Sequence, residues 1–317
     1  MTASRAALSP GGMFLEPSFP TIAGVNSNGA IVHYRAVPET AKTVGLNDMV
    51  LLDSGGQYRD GTTDVTRTFH TGTPTPVQRE MFTRVLKGNI AVDSRVFIQG
   101  TVGCHLDSYA REHLWAIGKD YIHGTGHGVG AALNVHEGPH SISRVLNGSP
   151  LVPGMIVSNE PGYYEANNYG IRIENLLVVV ERKELGEFGG RGFYGFERLT
   201  HIPIQKKLMD VSLLTDTEVA WIDQYHREIQ ERVGPLMQTD RGKRWLEVST
   251  APLRSGSGSG SGSSGSGSSG SSAAGSSSGA PVASNSFTGF VSSSSRPAAP
   301  TGVSDKGAAT PSKRIYF

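Results

Sequence analysis

Thiols are almost missing from this chain: its 317 residues include one cysteine, Cys104. No intramolecular disulfide can form, and a reducing compartment fits this usage. A structural zinc site built on thiolates is excluded as well. An excess of one charge sign is also lacking, since the formal net charge is +1. Residues 254–317 carry five basic residues and one acid, against 24 basic and 27 acidic in residues 1–253. A weakly acidic body makes no case for nucleic-acid binding, and the basic tail reads as solvated linker. No apolar run reaches the length that crosses a bilayer, so no membrane partner is expected. The opening stretch MTASRAALSPGGMFLEPSFP lacks the charged and then apolar layout of a secretory signal. A cytoplasmic protein is the expectation.

Apolar content also runs out near Arg254, where SGSGSGSGSSGSGSSGSS gives way to Ala/Pro/Ser-rich sequence. Such a segment cannot bury enough apolar surface to offset chain entropy and is expected to be disordered. About 250 residues remain, enough for one mixed α and β core.

What the chain does have is a set of metal-binding side chains in short, glycine-punctuated contexts. Asp53 lies in LLDSGG, Asp64 in TTDVTRT, His127 in GTGHGVG, Glu160 in NEPGYY and Glu174 in IRIEN. Four carboxylates and one imidazole suit hard divalent cations. Two cations held close together activate a shared water near neutral pH, which makes hydrolysis the leading reading.

The segment VLLDSGGQYRDGTTDVTRTFH reads as strand, turn, strand. A turn centred on Tyr58-Arg59 sets Asp53 opposite Asp64; one centred on Asp60-Gly61 keeps them on one face but further apart. Glu160 and Glu174 repeat the pattern, on a strand MIVSNE and a second strand GIRIENLLVVV. The coarse order adds a strand at Ile31–Arg35, helices near 75–98 and 105–117, and a strand near 200–205. Val77, Met81, Val85, Ile90 and Val96 read as the packing face of the first helix. A long helix is expected from Thr215 to Glu247, opened by a capping box at Thr215-Asp-Thr-Glu218. The whole suits an α+β fold, a curved antiparallel sheet backed by helices.

These motifs, with SFPTIAG, NGAIVHYRAVPE, GTVGCHLDSYAR and FERLTHIPIQ, occur in an order that resembles the catalytic domain of Xaa-Pro aminopeptidases (aminopeptidase P), cytosolic eukaryotic type. That family lies in the creatinase/methionine-aminopeptidase superfamily of M24 peptidases, with the pita-bread fold. The resemblance runs from about Ser18 to Leu253. It implies a metallopeptidase domain over 18–253, an N-terminal remnant over 1–17 and a tail over 254–317. Two amino-terminal domains and the first helices of three-domain relatives have no counterpart here, so a truncated fold with one exposed apolar face is expected.

The resemblance further implies roles. Asp53 would chelate one metal, His127 and Glu160 the other, and Asp64 and Glu174 would bridge. Glu160 would also be the general base. His136 would donate to the substrate carbonyl oxygen, His33 would hold the proline side, and His123 would line the pocket and assist proton transfer. Arg172 would orient acidic neighbours or substrate. The implied cofactors are two divalent ions, with manganese favoured. The implied partners are peptides with N-terminal Xaa-Pro and a second copy of the chain, since relatives form dimers. Two alternatives stand beside this reading: a non-catalytic pita-bread fragment acting as a binding module, and a prolidase acting on dipeptides.

Overall fold

The computed structural model describes residues 5–7 and 9–254. The Ser/Gly-rich tail lies outside the described residues. Strand β1 (Phe14–Glu16) is followed by β2 (Ile22–Val25), β3 (Met49–Asp53), the short β4 (Gln57–Tyr58) and β5 (Gly61–Thr62), and β6 (Thr66–His70). β2, β3 and β6 form one antiparallel sheet in the order β2-β3-β6, and β1 pairs with β4 beside it. Helix α1 (Pro76–Asp93) follows, then β7 (Phe97–Ile98), α2 (Cys104–Trp115), β8 (Gly126–Gly128) and β9 (Glu137–Ile142). The second half supplies β10 (Ile156–Asn159), β11 (Gly162–Glu165), β12 (Tyr169–Arg172), β13 (Asn175–Glu181), β14 (Glu187–Phe188) and β15 (Arg191–Arg198). Helices α3 (Asp216–Val233) and α4 (Asp240–Thr250) close the fold. The larger sheet runs β14-β15-β13-β10-β8-β9, with β7 on β15. This is the expected α+β arrangement, a curved antiparallel sheet backed by helices.

Both carboxylate-bearing hairpins differ in detail from the sequence reading. β3 pairs with β6 so that Asp53 faces Thr66, and Tyr58 faces Gly61 around an Arg59-Asp60 turn. The register falls between the two anticipated ones, and Asp64 sits beyond the ladder on the same hairpin. Side chains fix it. Gln57 Nε2 donates to the carbonyls of Tyr58 and Gly61, and Thr62 donates back to Gln57 Oε1 at 2.9 Å. In the other hairpin, Asn159 pairs with Asn175 and Gly162 with Arg172. The two ladders share one register, which sets Glu160 across from Glu174.

Four further expectations are corrected. Ile31–Arg35 forms turns instead of a strand, because Tyr34 turns inward onto Ile22 and Leu51 and donates its N–H to the Ile31 carbonyl. Residues 200–205 are extended but unpaired as a strand; Gln205 caps the end of β6 through His70 N–H, and Tyr225 holds the Thr200 and Ile202 carbonyls. The long terminal helix breaks at Gly234-Pro235, since proline lacks the N–H that would continue it, and α4 restarts from an N-cap at Thr239. On α1, Met81, Val85 and Ile90 are buried as expected, whereas Val77 and Val96 are exposed, Val96 lying past the helix end.

The α3 capping box forms as read, with Thr215 accepting from Glu218 N–H. A second box, Thr75 with Gln78, opens α1. Each such cap is worth about 1 kcal/mol. α1 and α3 cover a core of Met81, Val85, Leu86, Ile171, Ile222 and Tyr225, among others. A second core of Leu106, Ile142, Val157 and Leu177 fills the space between α2 and the larger sheet. Fully burying one such aliphatic side chain contributes about 1.5–3 kcal/mol. The helices thereby hold the back of the sheet.

Candidate metal centre

All five sequence-selected ligands meet. Oxygen and nitrogen atoms of Asp53, Asp64 and Glu174 lie within 4.8 Å of one another, as do those of His127, Glu160 and Glu174. His136 joins Asp64 and His127 in a third such group. Asp53, Asp64 and Glu174 are buried. Each of these side chains is aimed by its backbone. Asp53 ends β3. Glu174 N–H donates to Thr66 O at 3.1 Å, and Thr66 Oγ1 donates to Glu174 Oε2 at 2.8 Å. Glu160 N–H donates to Thr125 O at 2.8 Å, and Ser158 Oγ donates to Glu160 Oε1 at 2.9 Å. His127 sits between two glycines for a steric reason. A Cβ at Gly126 would overlap the Ser158 carbonyl, and one at Gly128 the Glu137 carbonyl.

The electrostatics call for a cation. Burial pushes Glu174 well above the usual carboxylate range, and its carboxylate neighbours add to the effect. Burial also raises Asp53 to about 7, against the pull of Arg172. Burial would raise Glu160 too, but its bond to His127 and the charges of His127, His123 and Arg172 together outweigh burial and hold it at about 2. Burial opposes charge on His127, yet Asp64 and Glu160 lift it well above the ordinary imidazole value. Four acids face one imidazole and one guanidinium, which leaves negative charge uncompensated, and a divalent cation removes that cost. Two atoms fit this directly. Asp53 Oδ1 is buried and has no hydrogen-bond partner among the described residues. His127 Nδ1 donates to Gly128 O at 2.9 Å, which leaves Nε2 to face Glu160 at 3.2 Å and Asp64 at 3.5 Å. With Nδ1 committed to that carbonyl, Nε2 is the nitrogen that would exchange its proton for a metal.

Arg172 lies behind the acids, fully buried. Nη2 donates to Asp53 Oδ2 at 2.8 Å, Nε to Thr66 Oγ1 at 3.0 Å and Nη1 to Tyr164 Oη at 2.7 Å. Tyr164 in turn bonds His123 Nε2 at 2.8 Å, while His123 Nδ1 donates to Gly124 O at 2.8 Å. Burial pushes His123 down to about 4, so its ring is neutral. The His136 ring lies 4.2 Å from that of His127, exposed at the rim, and burial with the neighbouring His127 lowers its pKa. His33 is also exposed at the rim; burial lowers its pKa, and it feels both Arg172 and Glu160. Sequence reasoning missed Tyr164, Thr66 and Ser158. Tyr164 carried a usable signal, since it follows Glu160 by four residues in NEPGYY.

The model of metallopeptidase family M24 matches residues 3–181, and that of the C-terminal region of peptidase M24 matches residues 192–253. The chain belongs to family M24. Among M24 relatives, aminopeptidase P2 of Arabidopsis thaliana is 56% identical over 241 residues, 76% of this chain and 34% of its own length. A probable Xaa-Pro aminopeptidase P of Laccaria bicolor is 52% identical over 76% of this chain and 38% of its own. The crystal structure of X-prolyl aminopeptidase from Caenorhabditis elegans, described as a cytosolic enzyme with a di-nuclear active site, superposes with a TM-score of 0.73 at 39% identity. It covers 78% of this chain and 40% of that one. The chain thus spans between a third and two fifths of the length of these M24 relatives.

Proposed function

We propose that this chain carries the hydrolytic centre of a dimetal aminopeptidase that removes the first residue from peptides with proline second. The convergence of Asp53, Asp64, His127, Glu160 and Glu174 carries the reading. The names of the similar proteins supply the substrate class. Asp53 would hold one ion, His127 and Glu160 the other, and Asp64 and Glu174 both; manganese suits a set dominated by carboxylate oxygen. When bound, the ions supply a nucleophilic water and polarise the scissile carbonyl.

The chain's own residues do the rest. Glu160, ionised at neutral pH, accepts the proton of the attacking water and passes it towards the leaving amine. His136, at the rim, donates to the carbonyl oxygen as negative charge gathers there. His123 stays neutral and lines the pocket, held by Tyr164. His33 faces the proline side. Arg172 fixes the orientation of Asp53 and contacts no substrate, given its complete burial.

Single-residue release from an Arg-Pro-Pro peptide, with manganese added and then chelated, tests the reading. Glu160→Gln should lower turnover at least about a hundredfold with the fold intact. Unchanged turnover in that variant would defeat the mechanism. A second reading is a non-catalytic pita-bread module. A folded chain that binds manganese yet cleaves nothing would establish it. A likeness to the prolidase of Pyrococcus furiosus, TM-score 0.53 at 30% identity, favours a third. Cleavage of Xaa-Pro dipeptides but not of the tripeptide would select it. Action in the cytosol, and as a dimer, completes the proposal. No helix among the described residues is long and apolar enough to cross a membrane.

A further inference from the structure

Helix α1 carries no ligand, yet it reaches two of them. Its buried face is mainly apolar, and Asn89 interrupts it while fully buried. Asn89 Nδ2 donates to the carbonyl oxygens of Asn159 at 2.9 Å and Ile173 at 3.1 Å. Those carbonyls belong to the peptide groups that lead into Glu160 and Glu174. Asn159 Nδ2 returns a bond to Asn89 O at 2.8 Å. The strand ladder stops at the Asn159–Asn175 pair and resumes at Gly162–Arg172. Both glutamates stand in that interval, and one amide spans it from behind.

The chemistry of the contact is strict. Two carbonyl oxygens accept from one NH2 group, so an acceptor in its place would repel both. The amide acts in one direction: both of its donor bonds go to these carbonyls, while Asn89 Oδ1 is buried without a partner among the described residues. A buried unsatisfied group costs about 1–3 kcal/mol, and an aliphatic residue would remove that oxygen only by taking the donor from both carbonyls.

We propose that Asn89 is a positioning residue for the metal centre: it clasps the peptide groups before Glu160 and Glu174 and so sets the bite of these carboxylates on the ion they share with His127. This rests on reading the five residues as ligands of a metal pair. Asn89→Asp keeps the shape and turns the donors into acceptors. Asn89→Ser keeps one donor and asks less of the fold. Thr83→Val is the control, on the same helix; it removes the bonds of Thr83 Oγ1 to Arg79 O (2.7 Å) and from Asp210 N–H (2.8 Å), away from every ligand.

Manganese is titrated calorimetrically into the full chain, with electron paramagnetic resonance on the bound ions. The wild type should bind two. The Asn89 variants should lose at least about tenfold in affinity for one ion and keep the other. The resonance should change from a coupled pair towards an isolated ion. Thr83→Val should lose thermal stability and keep both ions. Asn89 variants that bind both ions as tightly as wild type, or lose no more affinity than Thr83→Val, would overturn the proposal. A wild type that binds no manganese would remove the metal centre itself, and the proposal with it.

Discussion

A single hydroxyl, that of Tyr164, separates a permanent cation from a neutral imidazole. It accepts from Arg172 and donates to His123. Removing it leaves a buried guanidinium N–H and a ring nitrogen without partners, at about 1–3 kcal/mol. Tyr164→Phe should therefore lower kcat for peptide release about tenfold or more, with manganese affinity nearly unchanged, since neither partner is a ligand. A Tyr164→Phe variant with wild-type kcat would show that His123 needs no such support. At this scale the sequence was informative wherever chemistry is local. Asp53, Asp64, His127, Glu160 and Glu174 announced themselves by residue type and glycine-rich context. Tyr164 and Asn89 did not, because both act through partners far away in sequence. Asn89 also sits in a helix face judged by its apolar stripe alone.

Elements were legible in kind and misjudged at their limits. The first hairpin was read from Gly and Asp-Gly steps, but the bonds of Gln57 chose the turn, and no backbone propensity reports those. The break between α3 and α4 could have been read from Gly234-Pro235, and periodicity on both sides masked it. Helix α3 holds a further consequence. His226 is fully buried; its Nε2 accepts from Ile204 N–H at 3.3 Å, and Nδ1 has no partner among the described residues. Burial lowers its pKa to about 4, and Lys206 and Arg67 act in the same direction against Asp223. The folded ring stays neutral where the unfolded ring takes a proton below about 6.5. Between about 6.5 and 4 the unfolded state binds more protons, so stability present at neutral pH is lost as pH falls. The window is worth up to about 3 kcal/mol. In chelator, His226→Gln should flatten the fall in urea-unfolding free energy between pH 7 and 4.5 by about that amount. An equal fall in variant and wild type would exclude this origin.

Across residues 9–254, polar bonds tie the β2-β3-β6 sheet to the β11-β12 and β13 strands of the second half. Arg172 joins Asp53, Thr66 joins Glu174, and Arg67 joins the Glu174 carbonyl, Asn175 Oδ1 and the Tyr225 hydroxyl. Cations held by the five side chains would add a further link between the halves. At a concentration a hundred times the dissociation constant, each ion stabilises the native state by about 2.7 kcal/mol. For a domain of this size that raises Tm by roughly 5–10 °C. Scanning calorimetry with manganese and then with chelator should show a rise of that order. A Tm indifferent to metal would mean that the ions do not tie the sheets together. This architecture was visible in the sequence as two paired carboxylate hairpins, whereas the bonds that join them run between residues more than a hundred positions apart.

That separation has a consequence for how the protein is made. Asp53 leaves the ribosome well before Arg172 and Glu174, and synthesis proceeds at about 5–20 residues per second. For several seconds the first hairpin exists without the partners that bond its acids. Its carboxylates can meet ions during that time, but only singly and weakly. Capture of a full pair would wait until β12 and β13 have emerged and docked, so metal loading would come late in folding.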